Sequence, residues 1–406
     1  MAAPARDSLP LGDDILAEIL IRLPTLADVG RACAACVAFR RVITRPSFLR
    51  RLHALHPRSL LGFHTLSAGF LPVEPPYPSA PAARAVDAAA DFSFSFLPSL
   101  GYRWMVRDAR DGRFLLDCVE GMDCAFTTVA VCDPLFRRYV LLPPIPQHLA
   151  AAVEQPRLVN AERRCEVFLA PCGEEDDDLA ADVAEKSFRV IWMAQCPTKL
   201  VVLVFTSASG QWQATASSSW RDLNPSMPSA TQRCYLHLRH YAYRCFYWLL
   251  WSFNAHQEQQ MLVVLDVDRM EFSPLNPPSS YRLKEFAIVE LGENRLGMFA
   301  SKRMQGSVLQ LFRANKQNHG EGAIVWELQN QVSLIPSYSY HKLGVVDGQL
   351  LIQGAPHVSY VSDFGCMLLD FRTSQLQKIR GILQSGSRPQ SVLYTGYPPS
   401  LSLPII

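Results

Sequence analysis

The sequence predicts an α+β chain: a small N-terminal three-helix domain followed by a large all-β domain, a β-propeller of about six blades. Three observations predict it. Apolar residues at helical spacing are confined to the stretch before His56. Beyond it, short apolar or alternating runs separated by turn residues dominate. Finally, a loose unit recurs at intervals of roughly 50 to 70 residues, which suits a four-stranded blade with variable loops. The boundaries read as 1–56 for the helical domain, 57–101 for a Pro/Ala-rich linker with the first strands, and 102–400 for the β domain.

The first helix is DDILAEILIRL, Asp13 to Leu23, with Ile15, Leu16, Ile19, Leu20 and Leu23 at helical spacing. Its carboxylates sit in the first turn, where the helix dipole favours them. Pro24 ends it, and Thr25 with Asp28 forms a capping pair for a second helix, TLADVGRACAACVAFRRVI, whose stripe is Val29, Ala32, Cys33, Cys36 and Phe39. Pro46 stops that run, and Ser47, Phe48, Leu49 and Leu52 suggest one more short helix. Three short helices bury too little surface to be robust alone, so a wide apolar stripe here calls for a partner or for the chain's own second domain.

Between Pro57 and Tyr102 the composition reads as a loop interrupted by two strands, Leu60 to His64 and Phe92 to Phe96. The repeat follows. Each unit opens with a strand after a turn residue: Gly112 to Leu116, Phe246 to Leu249, Asn294 to Met298 and Asp347 to Ile352. A hairpin comes next, clearest in VAVCDPLFRRYVLLPP, LVVLVFTSASGQWQA, MLVVLDVDRMEFSPL and CMLLDFRTSQLQKI, with a degenerate copy in VLQLFRANKQ and IVWELQ. Closing such blades into a ring buries edges that an open sheet would expose. Two stacked β-sandwich domains are the alternative.

Composition narrows the function. Hydrophobic residues make up 49% and charged residues 19%, a globular balance, and a formal charge of +2 gives nucleic acid no broad basic surface. Acidic residues and Pro10 interrupt the N-terminus, which does not read as a signal peptide, and no apolar run reaches membrane-spanning length. Eleven cysteines without a usable glycosylation sequon point to a reducing, intracellular compartment, cytoplasmic or nuclear.

Motifs for chemistry are missing from the sequence: there is no G-x-S-x-G elbow, Walker loop or H-E-x-x-H helix, and Gly320-Glu321-Gly322 lacks the third glycine of a dinucleotide fingerprint. Cys33-x-x-Cys36 has no second ligand pair near it and reads as core thiols. In Cys234, His237 and His240, strand alternation puts His237 opposite the other two. The acidic run Glu174 to Asp178 reads as a solvated loop, and Trp212, Trp220, Tyr247, Trp248 and Trp251 as core between blades. No catalytic residue, metal or cofactor is expected.

Leu9-Pro10, Ile15, Ile19-Leu20, Arg22-Leu23-Pro24, then Cys36, Phe39-Arg40 and Ile43 resemble the F-box motif in order and spacing over about Ser8 to His53. The resemblance implies docking on a Skp-type adaptor through Leu9, Pro10, Ile19, Leu20, Leu23, Pro24, Leu26, Val29, Cys36 and Phe39. Phe39 stands where that motif usually has Trp; it keeps the aromatic bulk and loses the indole donor. Val129 to Pro144, Val204 to Trp212 and Asp347 to Leu351 are similar to phrases of the F-box-associated propeller domain of plant F-box proteins. Together the two resemblances imply a non-catalytic substrate-recognition subunit of an SCF-type cullin-RING E3 ubiquitin ligase, with adaptor, cullin-RING ligase and a protein substrate as partners and no nucleic acid or membrane. The alternatives are an adaptor-bound scaffold outside any ligase, and a propeller enzyme such as a glycan hydrolase, which needs clustered carboxylates at the ring's mouth.

Overall fold

The computed structural model describes residues 12–396, leaving out 24–25, 44, 46, 49–50, 53–59, 67, 119–125, 157–158, 160–163, 172–186, 226–233, 253–259, 279–285, 302–307, 317–323, 335–337, 347, 357–364, 372 and 380–390. Contacts divide the chain into two compact units that meet in sequence at Ser59 and Leu60. Among the described residues no helix is long and apolar enough to cross a membrane.

The small unit holds α1 (Asp13–Leu20), α2 (Leu26–Ala35) and α3 (Val37–Ile43). Its core is Leu16, Leu20, Ile21, Val29, Val42, Ile43, Phe48 and Leu52, so the third apolar group expected after Pro46 does pack inward through Phe48 and Leu52. Helix α1 ends earlier than its periodicity suggests. The amides of Arg22 and Leu23 turn back to the carbonyls of Ile19 and Leu20 at 3.2 Å, the tighter i to i−3 pattern with which helices often finish. The expected second helix is two, broken at Cys36, and no proline or glycine marks the break. Asp13 joins the start of α1 to the end of α3: Arg41 donates to it at 2.7 Å and Arg45 also pairs with it. Hydrogen bonding from Arg41 holds its carboxyl below the ordinary value. The proposed Thr25 cap lies outside the described residues.

The large unit is built from six sheets. Strands β1 (Leu60–Thr65) and β2 (Gly69–Pro72) open it. The first four-stranded blade is β3 (Trp104–Arg110), β4 (Arg113–Cys118), β5 (Thr128–Asp133) and β6 (Arg138–Leu141); the second is β7 (Cys165–Ala170), β8 (Arg189–Gln195), β9 (Lys199–Thr206) and β10 (Gln211–Ser219). The third comprises β11 (Cys234–Ala242), β12 (Cys245–Ser252), β13 (Met261–Asp266) and β14 (Glu271–Leu275). In the fourth are β15 (Phe286–Glu290), β16 (Leu296–Ser301), β17 (Val308–Lys316) and β18 (Ile324–Ser333), and in the fifth β19 (Tyr338–Val346), β20 (Gln349–Pro356), β21 (Gly365–Asp370) and β22 (Leu376–Ile379). The sixth sheet joins the two ends of the unit in the order β2-β1-β23, with β23 being Ser391–Thr395. Strands β3, β7, β11, β15 and β19 are the first of their sheets and β23 is an edge of the sixth, and neighbours such as β3 and β7, or β19 and β23, approach around the inside of the ring. The unit is a six-bladed β-propeller.

Each blade is buried on both faces, which explains why its middle strands read as unbroken apolar runs. In β8, Val190, Trp192 and Ala194 face the first blade alongside Leu115 and Val131, while Ile191 and Met193 face the third alongside Phe246 and Trp248. All five hairpins read from the sequence are the third and fourth strands of successive blades, and each strand read before them is a second strand. Turns supply the punctuation. Asp111 and Gly112 both take positive φ, 54° and 73°, between β3 and β4, as a two-residue hairpin demands. Between β11 and β12 the same turn is made by Tyr243 and Arg244, at φ 46° and 58°, without a glycine. That conformation costs about 1–2 kcal/mol per residue. Specific bonds offset it: Glu290 accepts from the Tyr243 amide at 2.7 Å, the Tyr243 hydroxyl accepts from the Gly292 amide at 3.0 Å, and Arg244 forks onto Asp268 through Nε and Nη2, each at 2.5 Å.

The segment expected as a linker is structural. Residues Ala80–Ala89 form a helix with Pro81 in its first turn, where the missing amide costs nothing, and alanine is the best helix former. Phe92 to Phe96, expected as a strand, is a pair of turns instead. Asp91 accepts from the amides of Ser93 and Ser95 at 3.0 and 3.2 Å, and this side-chain bonding outcompetes a strand ladder. The turns tuck Phe92 onto Phe70, ring centroids 3.7 Å apart, and Phe94 onto Phe114 at 5.4 Å.

His64 of β1 is caught in this aromatic group, 5.7 Å from Phe94 and 5.8 Å from Phe114. Burial, helped by the nearby Arg103 charge, lowers its pKa from 6.5 to about 4. Because the folded value lies below the unfolded one, His64 costs nothing above pH 6.5 and destabilises as pH falls toward 4. The expected loss between pH 7 and pH 5 is about 2 kcal/mol. Urea midpoints for the wild type and His64→Phe measure it; equal pH slopes in the two proteins would contradict the assignment.

Candidate functional site

The helical unit leaves apolar side chains uncovered. On α1, Ile15 is 52% and Ile19 53% exposed, one turn apart, and Val37 at the start of α3 is 75% exposed. Ile15 and Ile19 are the outer half of a stripe on α1 whose inner half, Leu16 and Leu20, is buried. Of the residues expected to dock, Ile19 is on this surface, and Leu23, Cys36 and Phe39 are partly exposed. Leu20 and Val29, expected to contact a partner, are each 4% exposed and belong to the unit's own core. Leu26 lies in α2, where its side chain is not among those described, and Leu9, Pro10 and Pro24 lie outside the described residues. Val37 was missed because the sequence ran α2 and α3 together.

Inside the ring, the first three blades meet in a polar cluster. Asp108 of β3 accepts the Leu169 amide of β7 at 2.9 Å, and Arg239 of β11 reaches Asp108 at 3.3 Å and Glu166 of β7 at 3.1 Å. Trp248 donates its indole N–H to Glu166 at 2.6 Å, and the Arg239 guanidinium lies 4.3 Å from the centre of Phe168. Burial pushes the Glu166 carboxyl up, opposed by the Arg239 charge. Both Glu166 oxygens hold a donor, as do both oxygens of Asp108, whose Oδ1 takes the Ala109 amide at 3.0 Å. The cluster ties the inner strands of the first three blades together through side chains far apart in sequence.

Gln195 is a second tie. It accepts the Leu236 amide at 2.7 Å and donates to the Leu236 carbonyl at 3.3 Å, imitating one step of strand pairing between the second and third blades. Gln195→Met keeps the volume and strands two buried backbone groups. We expect a loss of about 1–3 kcal/mol, read as a lower thermal midpoint; no change would mean that water replaces the side chain.

Other candidates resolve simply. In β11 a bulge between His237 and His240 breaks the alternation used in the sequence reading. Its register places His237 and His240 on one face, opposite Leu249 and Tyr247, and Cys234 on the other, which corrects the expected arrangement. Among the described residues no group of three His, Cys, Asp or Glu is placed to hold a metal ion. Cys33 and Cys36 are partly exposed free thiols. Trp212, Trp220, Tyr247 and Trp248 are buried between blades; the Trp251 side chain, the acidic run Glu174 to Asp178 and Gly320 to Gly322 are outside what is described.

No family model matches the chain, and no curated protein does. Solved structures with a similar course include a puromycin-hydrolyzing peptidase of Mycobacterium tuberculosis, 10% identical, with a TM-score of 0.38. The match covers 68% of this chain and 38% of that one, so the chain spans well under half of its length. The β-propeller domain of the Trilobed protease from Pyrococcus furiosus is 7% identical at TM-score 0.35, covering 68% of this chain and 70% of that one. YCF48 bound to D1 peptide is 10% identical at TM-score 0.35, with coverages of 68% and 66%. At such values the similarities carry no argument about function.

Proposed function

We propose that the chain is the substrate-recognition subunit of an SCF-type cullin-RING ubiquitin ligase, working inside the cell in the cytosol or nucleus. The observation that carries this reading is the exposure of Ile15 and Ile19, one turn apart on α1, and of Val37 at the start of α3, in a helical unit whose sequence resembles an F-box. Exposed apolar side chains of this kind are what a Skp-type adaptor would cover, by seating its own helices against them. The propeller is the substrate-holding part: a closed, rigid ring whose loops present a surface without itself supplying chemistry. Ubiquitin transfer then depends on tethering, since holding the substrate beside the charged E2 raises its effective concentration and leaves geometry to set the rate.

The test is co-expression of the full chain with a Skp-type adaptor and a cullin-RING pair. A stable assembly that ubiquitinates co-purifying protein supports the reading. Adaptor bound without cullin would make the chain a scaffold, and no adaptor at all would end the proposal.

A further inference from the structure

Among the described residues the sixth sheet closes the ring with three strands, where each of the other five sheets has four. The chain after β2 does not return as a fourth strand. It runs instead as a helix and turns from one neighbouring blade to the other. At the fifth blade, the Tyr77 hydroxyl reaches Oε1 of Gln349 in β20 at 3.5 Å. On the sixth, Ser79 donates to the Leu60 carbonyl of β1, and the helix Ala80–Ala89 adds Ala83 and Val86 to the core that holds Leu61 and Phe63. At the first, the Asp91 amide donates to the Pro134 carbonyl at 2.9 Å, and Phe94 lies against Phe114.

One carboxylate fastens the far end. Oδ1 of Asp91 accepts the amide and the hydroxyl of Ser93, at 3.0 and 2.5 Å, and Oδ2 accepts the amide and the hydroxyl of Ser95. Hydrogen bonds to an ionised acceptor are the stronger kind, so these four fix the turns firmly. The turns in turn seat Phe92, stacked on Phe70 of β2 and edge-on to Tyr394 of β23 at 5.5 Å. The pairing they sit beside, β1 with β23, joins strands from opposite ends of the unit, and no short connection keeps the two together. Proteins open first where a pairing is least tied to its surroundings.

We infer that residues 77–96 are a strap that governs opening of the ring. While fastened at Asp91, it ties the fifth, sixth and first blades across the seam between β1 and β23. Once Asp91 is lost, the seam opens ahead of the other blades. The strap works by holding β1 against both neighbouring blades, which keeps it beside β23 at a high effective concentration. It thereby does for the three-stranded sheet what an outer strand does elsewhere, and adds a release point that an outer strand lacks. The inference stands whether or not the helical unit docks an adaptor.

The experiment follows amide hydrogen exchange in the full chain, read by mass spectrometry at β1 and β23 in the seam and at β8 and β16 away from it. In Asp91→Ala, exchange at β1 and β23 is expected to run at least roughly tenfold faster than in the wild type, with β8 and β16 unchanged. Phe92→Ala should act at the same two strands by a larger factor. If Phe92→Ala fails to fold, Asp91→Ala still decides the matter, since it removes no apolar packing. Asp222→Ala is the control: it removes another carboxylate cap, that of the short helix Trp220–Leu223, and should leave the seam as in the wild type. Unaltered seam exchange in Asp91→Ala, equal acceleration at all four strands, or a seam opened as much by Asp222→Ala would each overturn the inference.

Discussion

Ile19→Asp is expected to abolish capture of a Skp-type adaptor while leaving the helical unit folded. Ile19 is 53% exposed, so replacing it removes little of the unit's own packing, and the helix-propensity cost of aspartate is under about 1 kcal/mol. In a complex the same position would be sealed between apolar surfaces, where an aspartate must shed water without an ion partner. A cost of about 3 kcal/mol or more, over a hundredfold in affinity, is the expected order. Pull-down with circular dichroism separates the effects. Retained helicity with lost binding supports the docking face; retained binding would show that the exposed isoleucines serve something else. Leu20→Asp is the contrasting variant: Leu20 is 4% exposed, and its loss should unfold the unit itself.

Tyr394→Ala should loosen the ring at its seam. Tyr394 is fully buried, lies parallel to Phe114 with centroids 5.0 Å apart, and meets Phe92 and Phe70 edge-on at 5.5 and 5.7 Å. It stands opposite Gly62, where a Cβ would come within 2.5 Å of the Leu71 carbonyl oxygen, so its neighbour in β1 has no side chain to fill the space it would leave. Truncating a buried aromatic costs about 3–5 kcal/mol, a large part of the roughly 5–15 kcal/mol that holds a folded domain together. Urea midpoints measure the loss, and limited proteolysis should cut first around β1 and β2. A loss below about 1 kcal/mol would mean that the seam does not depend on this side chain.

The outer half of every four-stranded blade except the interrupted fourth was readable as a clear hairpin, because strands such as β9 and β13 are covered on both faces and leave continuous apolar runs between turn residues. Inner strands were not. β3 (WMVRDAR) is half-buried along its whole length, and β11 (CYLHLRHYA) carries a bulge, so neither shows a clean period. The helix Ala80–Ala89 was hidden because proline and alanine together read as a linker until the proline is placed in the first turn. At the helical unit, periodicity put Ile15, Leu16, Ile19 and Leu20 on one wide stripe; only packing against Val42 and Ile43 shows which half stays outside. The Asp108, Glu166 and Arg239 cluster was invisible for a different reason. Its members are far apart in sequence, and only the ring brings their strands together.

The seam between β1 and β23 also has a consequence for biosynthesis. The hairpin of β1 and β2 leaves the ribosome early, yet its partner is made after all the other described strands. Until then the early hairpin carries an unpaired edge, and the blades cannot close around it. A chain that stops short of β23 therefore keeps that edge of β1 open, and one that includes β23 covers it.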